Sequence, residues 1–141
     1  MIIEDIDNFI KNQGLEDYDL YVCSEGLSYA SKGDATLNLA TYKGVLLSKI
    51  YEHYGDYLRR LFTYPPISLK ATAECAGKDD IKDKSKMIKK YILENNQIKM
   101  RLCLANNMLI AKKNYITGVD DIVDSYWALK TMVKKENISL N

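Results

Sequence analysis

Two short apolar runs that read as β-strands constrain the fold of this chain more than any other feature of its sequence. Residues 18–24 alternate and then become continuously apolar, and residues 59–63 form the second run. The helical pattern between them is long enough for the crossover that parallel neighbours need. We therefore predict an α/β domain with few parallel strands flanked by helices.

The rest of the chain has a mainly helical pattern, interrupted by glycine, proline and asparagine. Gly14 is the expected stop signal of the first helix. Asp34 and Ser68 are expected to cap the second and third helices. Helices are predicted at residues 2–13, 35–54, 69–75, from 80 or 83 to 94, 97–113, and from 121 onward.

Composition bounds the class of protein. The 141 residues are expected to form one domain, 1–141, and the 47% of hydrophobic residues allow a packed core. No apolar run could span a membrane and the acidic start is no signal peptide, so we expect a cytoplasmic location and no membrane partner. The three cysteines form no Cys-x-x-Cys pair, which argues against zinc and disulfides. His53 is interpreted as a structural histidine rather than a catalytic base.

The net charge of +1 hides a segregation of charge along the chain. Residues 1–34 carry 2 basic and 8 acidic side chains, and residues 35–113 carry 15 basic and 7 acidic ones. Residues 114–141 carry 3 basic and 4 acidic side chains. A basic middle between acidic ends suits a surface that binds a polyanion beside a metal site, although a solvated lysine-rich helix has the same composition.

Three carboxylates, Glu25, Asp121 and Asp124, are the most informative polar residues. Glu25 follows the first apolar run, and the two aspartates are three residues apart near a predicted helix start, so they share one helix face. Acids near a helix start also stabilise the helix by capping and by the dipole, which is the alternative interpretation. The apolar positions expected to face the core on this helix are Ile122, Tyr126, Leu129 and Val133.

Four segments in chain order resemble the RuvC family of Holliday junction resolvases. The first begins with the strand-end Glu25 and a polar loop, and it ends with a glycine, Gly44, that packs a helix on the sheet. The third contains a Lys-Ser helix start, and the last contains the Asp-x-x-Asp pattern of the family's closing helix. The segments are residues 25–44, 66–77, 83–87 and 121–129.

The resemblance implies an RNase H-like fold and metal-dependent hydrolysis of phosphodiesters in branched DNA. Two divalent ions, Mg²⁺ or Mn²⁺, would lie about 3.5–4 Å apart, activate the attacking water and stabilise the leaving oxygen. The implied metal ligands and catalytic carboxylates are Glu25, Asp121 and Asp124. Lys84 matches a basic catalytic residue near the scissile phosphate, and Lys70 matches a second one there.

The same resemblance suggests which residues contact DNA. Tyr29 falls beside the loop position where the family inserts an aromatic residue at the junction, and it could stack on a base; an ordinary exposed loop tyrosine is the alternative. A homodimer is expected, because a junction has two symmetric strands to cut. The lysines expected to bind DNA are Lys32, Lys43, Lys70, Lys78, Lys82 and Lys86.

The chain departs from the family at its start. The family's first catalytic aspartate lies on an earlier strand, whereas the helix predicted at residues 2–13 matches the helix before the strand that bears Glu25. Asp5 and Asp7 are too close to Glu25 to replace that aspartate. We therefore expect an N-terminally truncated form of the fold with an exposed strand edge. Either the chain is a fragment of a longer protein, or a separate chain supplies the missing strands, or a dimer covers the edge. The alternative to an active nuclease is a catalytically incomplete DNA-binding fragment or partner subunit of a split resolvase.

Overall fold

The computed structural model describes residues 2–27, 33–56, 58–77, 80–95 and 119–139. Within these residues it contains five helices and two strands, which confirms the mixed α/β class. No helix of the described part of the chain is both long and apolar enough to cross a membrane. The elements are α1 (Ile2–Gln13), β1 (Leu20–Glu25), α2 (Asp34–Tyr54), β2 (Leu58–Tyr64), α3 (Pro66–Thr72), α4 (Asp80–Glu94) and α5 (Val119–Glu136).

The two strands pair with each other in a parallel sheet, as the sequence predicts. Beyond the last residue of β1, the Gly26 amide donates a hydrogen bond of 2.6 Å to the Tyr64 carbonyl. A Cβ atom on Gly26 would lie 3.2 Å from that oxygen, so the close approach favours glycine. The carboxyl ends of the two strands therefore lie side by side.

The described chain divides into two compact units. Unit one combines Met1–Val22 with Tyr29–Phe62, and unit two combines Cys23–Ser28 with Thr63–Asn141. Unit one thus contains α1, α2 and the first parts of both strands, whereas unit two contains the strand ends with α3, α4 and α5. The single domain expected over 1–141 stays a prediction.

Unit two holds most of the buried side chains among the described residues. Its three helices pack on one another, and apolar residues recur on α4 at helical spacing, so that one face of this helix is buried. The core residues of the three helices are Leu69 of α3, Met87, Ile88, Tyr91 and Ile92 of α4, and Val123, Trp127, Ala128, Thr131 and Met132 of α5.

The sequence predicted the wrong buried face of α5. Ile122 is 53% exposed and Leu129 is 40% exposed, whereas Val123 and Trp127 are 0% and 3% exposed. Tyr126 and Val133, the other two residues of the predicted stripe, are only half-buried.

Trp127 and Thr131 explain the different rotation of this helix. Trp127 offers the largest apolar area on α5, and its indole N–H donates to the Met87 carbonyl at 3.3 Å. The Thr131 hydroxyl bonds to the Trp127 carbonyl at 2.7 Å and to the Thr72 hydroxyl at 2.8 Å. Because its hydrogen bonds are made inside the protein, a polar side chain can occupy the buried face at little cost.

Neither predicted cap residue caps its helix. Asp34 is the first residue of α2, which begins after Gly33 without a side-chain cap. Gly33 has φ 123°, a conformation that residues with a Cβ rarely adopt. Ser68 lies inside α3, because Pro66 occupies the first turn, where a missing N–H costs nothing and the fixed φ suits a helix.

We expect Met132→Ala to lower the free energy of unfolding by about 2–5 kcal/mol, because Met132 is 3% exposed and the change leaves a cavity. Ile122→Ala, the control, removes a side chain that is 53% exposed and should cost less than about 1 kcal/mol. Urea unfolding followed by the fluorescence of Trp127, the one tryptophan of the chain, measures both. Equal costs would contradict the observed rotation of α5.

Tyr64 should make unit two sensitive to alkaline pH. Burial, and then a hydrogen bond of 3.1 Å from its hydroxyl to Glu136, raise the pKa of Tyr64 to about 12. An unfolded tyrosine loses its proton near about pH 10, so stability falls as pH rises from there towards the folded pKa. Between about pH 8 and about pH 11, Tyr64→Phe should therefore lose less stability than the native chain, as judged by urea unfolding.

Tyr51→Phe is the matched control, because Tyr51 lies in unit one and is 65% exposed. That change should leave the alkaline loss of stability of unit two as it is in the native chain. A Tyr64→Phe variant with the same pH dependence as Tyr51→Phe would rule out the proposed role of the buried phenol.

Candidate active site

A pocket of about 220 Å³ lies in unit two and brings together charged side chains from four separate segments of the chain. Pro66, two residues beyond the end of β2, is part of its wall together with other apolar side chains, so the pocket lies at the carboxyl ends of the strands. Ligands of open α/β sheets bind at this edge. The lining residues are Glu25, Pro66, Leu69, Lys70, Lys84, Met87 and Asp124.

Local structure explains how Glu25 and Lys70 reach this pocket. Glu25 is the last residue of β1, which the adjoining bond between Gly26 and Tyr64 holds beside β2. Because only Pro65 separates β2 from α3, the last turn of α3 places Lys70 near the same edge.

Asp124 and Lys84 come from two helices that pack on each other. Asp124 lies three residues before Trp127 and four before Ala128, so it shares the buried face of α5 and its side chain is 13% exposed. The Lys84 ammonium of α4, in a side chain that is 20% exposed, donates a hydrogen bond to the Asp124 carboxylate. This ion pair is therefore largely removed from water.

Asp121 does not line the pocket. It is exposed on the first turns of α5, although its charge contributes to raising the pKa of Glu25. In the described ranges, no group of three or more histidine, cysteine, aspartate or glutamate side chains is arranged to hold a metal ion. The structure thus brings two of the three predicted carboxylates, Glu25 and Asp124, to the pocket. The metal-binding and catalytic roles of all three stay predictions.

The pocket alters the acidity of Glu25. Burial is the main cause that raises the pKa of its carboxyl, and the nearby negative charge of Asp124 raises it further. The Lys84 ammonium opposes both effects and lowers the pKa. Two carboxylates in one small pocket thus repel each other, and Lys84 compensates part of that repulsion.

Asp83 is a buried acid that the sequence analysis interpreted only as a possible helix start. Its side chain is 2% exposed, lies 3.8 Å from the Lys70 ammonium, and accepts a hydrogen bond of 2.9 Å from the Gly77 amide. A Cβ atom on Gly77 would lie 2.5 Å from an Asp83 oxygen, so any other residue here would displace the Asp83 carboxylate. Asp83 therefore holds the segment after α3 through its bond to Gly77, and it lies beside the Lys70 ammonium. No local pattern distinguished Asp83, because its partners Gly77 and Lys70 come from other segments of the chain.

The predicted DNA-binding lysines have different surroundings. Lys82 and Lys86 are exposed on α4, and Lys89, which the sequence analysis missed, continues the same face at spacings of four and three residues. We call Lys82, Lys86 and Lys89 the lysine stripe. Lys43 is half-buried on α2, in unit one. Tyr29, Lys32 and Lys78, and the helix predicted at 97–113, lie outside the described residues.

Comparisons of the chain with models of protein families, with curated proteins and with solved structures found no match.

We expect Lys84→Met to destabilise unit two by about 1–3 kcal/mol. The change leaves the largely buried Asp124 without its cation, and the repulsion between Asp124 and Glu25 is then no longer compensated. Asp124→Asn in the same chain should restore part of the loss, since the uncompensated charge disappears. Urea unfolding in the presence of a chelator, followed by Trp127, yields the coupling energy of this double-mutant cycle. Strictly additive costs would show that the ion pair does not form in solution.

Proposed function

We propose that this chain is a metal-dependent endodeoxyribonuclease of the Holliday junction resolvase type, with an RNase H-like fold. One observation supports the proposal most directly. Glu25, Lys70, Lys84 and Asp124 meet in one pocket although they come from β1, α3, α4 and α5. All four are positions that the resemblance to the RuvC family assigns to the chemistry or to the phosphate.

The donor atoms of the pocket fit a hard divalent cation. Mg²⁺ is usually bound through one or two carboxylates, with water and substrate phosphate completing its shell. Glu25 and Asp124 would hold Mg²⁺ or Mn²⁺, with Asp121 as a further acid on the same helix. When bound, such an ion supplies a Lewis acid and a water molecule of lowered pKa.

The two lysines suit the phosphate. Lys84 neutralises Asp124 in the isolated chain, and with DNA present its ammonium would turn to the scissile phosphate. Lys70, whose side chain is 17% exposed beside Asp83, would add a second positive charge on the same pocket. Ammonium groups fixed in a partly dry pocket stabilise negative charge that develops on the phosphate oxygens in the transition state.

The lysine stripe on α4 would bind the DNA backbone next to this pocket. Its three side chains are exposed on the helix that also carries Lys84. Contacts of this kind release counterions from DNA, so the affinity should fall steeply with salt. Branched DNA as the substrate and a homodimer as the active species rest on the resemblance.

A second function, DNA binding without cleavage, is favoured by one specific observation. The pocket contains two carboxylates and two lysines, and Lys84 already pairs with Asp124. The charge of the pocket is therefore balanced without a metal ion. As a partner subunit of a split resolvase, the chain would bind branched DNA in a salt-sensitive way while another chain completes the catalytic site.

Nicking of a labelled four-way DNA junction in Mg²⁺ or Mn²⁺ tests the proposal. We expect the native chain to nick the junction and expect Glu25→Gln and Asp124→Asn to reduce nicking to background, because each removes a charged oxygen ligand. Lys84→Met should slow nicking by about a hundredfold or more, the usual loss when one stabilising donor is removed. Asp17→Asn, which changes an exposed acid of unit one, is the control and should cleave normally.

Junction binding in a chelator, measured by fluorescence anisotropy on the same variants, separates the two functions. Tight, salt-sensitive binding without nicking by the native chain would reject the nuclease and support the binding subunit. Nicking that survives in both carboxylate variants would place the catalytic site elsewhere. An absence of junction binding at low salt would contradict both functions.

A further inference from the structure

Unit one contains a second, larger cavity that the proposed nuclease chemistry does not use. Its volume is about 440 Å³, within the usual range of small-molecule sites. The walls come from α1, the turn before β1, the first residue of β1 and the end of α2, all within unit one. The apolar part of the lining consists of Ile6, Phe9, Ile10, Leu15 and Leu20.

Asp7 is the centre of a polar cluster on the wall of this cavity. Its carboxylate accepts a hydrogen bond of 2.6 Å from the Tyr54 hydroxyl and lies 3.0 Å from the His53 ring nitrogen Nε2. The hydrogen bond from Tyr54 is the main cause that lowers the pKa of Asp7, so the carboxylate stays ionised at neutral pH. Burial is the main cause that raises the pKa of Tyr54 to about 12, so its hydroxyl stays protonated.

The charges around the cavity favour a cation. The acidic lining residues are Asp7, Glu16 and Asp19, and the basic ones among the described lining residues are Lys11 and His53. Arg59 pairs with Asp19 at 2.7 Å. With the imidazole of His53 neutral, Asp7 and Glu16 then stand against the single charge of Lys11. This excess of negative charge would repel an anionic ligand and attract a cationic one.

We propose that the unit-one cavity binds a small organic ammonium ion with an apolar body. The ammonium group would bind the Asp7 carboxylate, which has acceptor positions beyond those used by Tyr54 and His53. The apolar body would cover Phe9, a side chain now 61% exposed, and Ile10 beside it. Sites of this type combine an apolar lining with a few convergent polar groups.

The predicted structural role of His53 fits this arrangement. Its side chain is 48% exposed and bonds to the Asp7 carboxylate, to which the Tyr54 hydroxyl also donates. Two donors fixed on the last turn of α2 orient the carboxylate before any ligand arrives, which reduces the entropy lost on binding.

Two probes with the same apolar body test the proposal on the native chain. ¹H–¹⁵N NMR titrations with 2-phenylethylammonium and with neutral 2-phenylethanol should show saturable shifts at the cavity residues for the ammonium. The ammonium should bind about tenfold more tightly than the alcohol, because a charge-assisted hydrogen bond adds to the same apolar contact. Equal affinities, or an absence of saturable shifts at the cavity, would overturn the proposal.

A pair of variants on α1 assigns the preference to one carboxylate. Asp7→Asn should abolish the preference for the ammonium over the alcohol, whereas Asp5→Asn, which changes an exposed acid outside the lining, should leave it unchanged. The comparison of probes on the native chain remains decisive if Asp7→Asn does not fold. Equal effects of the two variants would contradict a site at Asp7.

Another possible occupant of the cavity, a second copy of the chain, would give a different experimental result. A second copy of the chain over the cavity would appear as a dimer in sedimentation, with its interface mapped to Phe9 and Ile10, and would reject the small-molecule assignment. Since every residue involved lies in unit one, the titration does not depend on whether the pocket in unit two cleaves DNA.

Discussion

The rotation of α5 about its own axis determines which of its carboxylates faces the pocket of unit two. Burial of Val123, Trp127 and Thr131 fixes that rotation, and the same face carries Asp124 at its start. A rotation that buried Ile122 and Leu129 instead would turn Asp124 away from Lys84. The hydrophobic contacts of the helix thus position a carboxylate that contributes nothing to the apolar core itself.

The pocket is also constrained by the need to balance charge in a partly dry environment. An isolated carboxylate with the low exposure of Asp124 would be costly, and Lys84 removes most of that cost by donating to it. Asp83 and Lys70 form a second, looser pair in the same unit, at 3.8 Å. Ion pairs of this kind add little net stability, but removal of one member leaves the other buried without compensation. We therefore interpret them as constraints on side-chain position rather than as sources of stability.

The sequence predicted the elements well because most of them depend on local patterns. The two strands, the crossover helix and the start of α4 follow from apolar runs, spacing and helix breakers, and the structure has them within a few residues. The caps at Asp34 and Ser68 were wrong, because a glycine and a proline determine those helix starts. The prediction of the buried face of α5 was wrong, because the hydrogen bond from Thr131 to Thr72 of α3 is a tertiary contact that local spacing does not show.

The same distinction applies to the two sites. Glu25 and Asp124 were predicted from a strand end and from helical spacing, yet spacing alone could not show that Asp121 stays exposed while Asp124 is buried. Asp7 and His53 are 46 residues apart, and no local pattern indicated that they meet.

Lys84 is the residue for which the two proposed functions of unit two make opposite demands. A nuclease needs Asp124 to exchange the ammonium for a divalent cation, so the ion pair must be weak enough to open when DNA and metal ions bind. A binding subunit needs no exchange, and a tight pair would then serve only to keep the pocket intact. The Lys84 side chain is 20% exposed and the Asp124 side chain is 13% exposed, so the pair is not completely sealed from solvent. The strength of the Lys84–Asp124 pair in solution therefore discriminates between the two proposed functions.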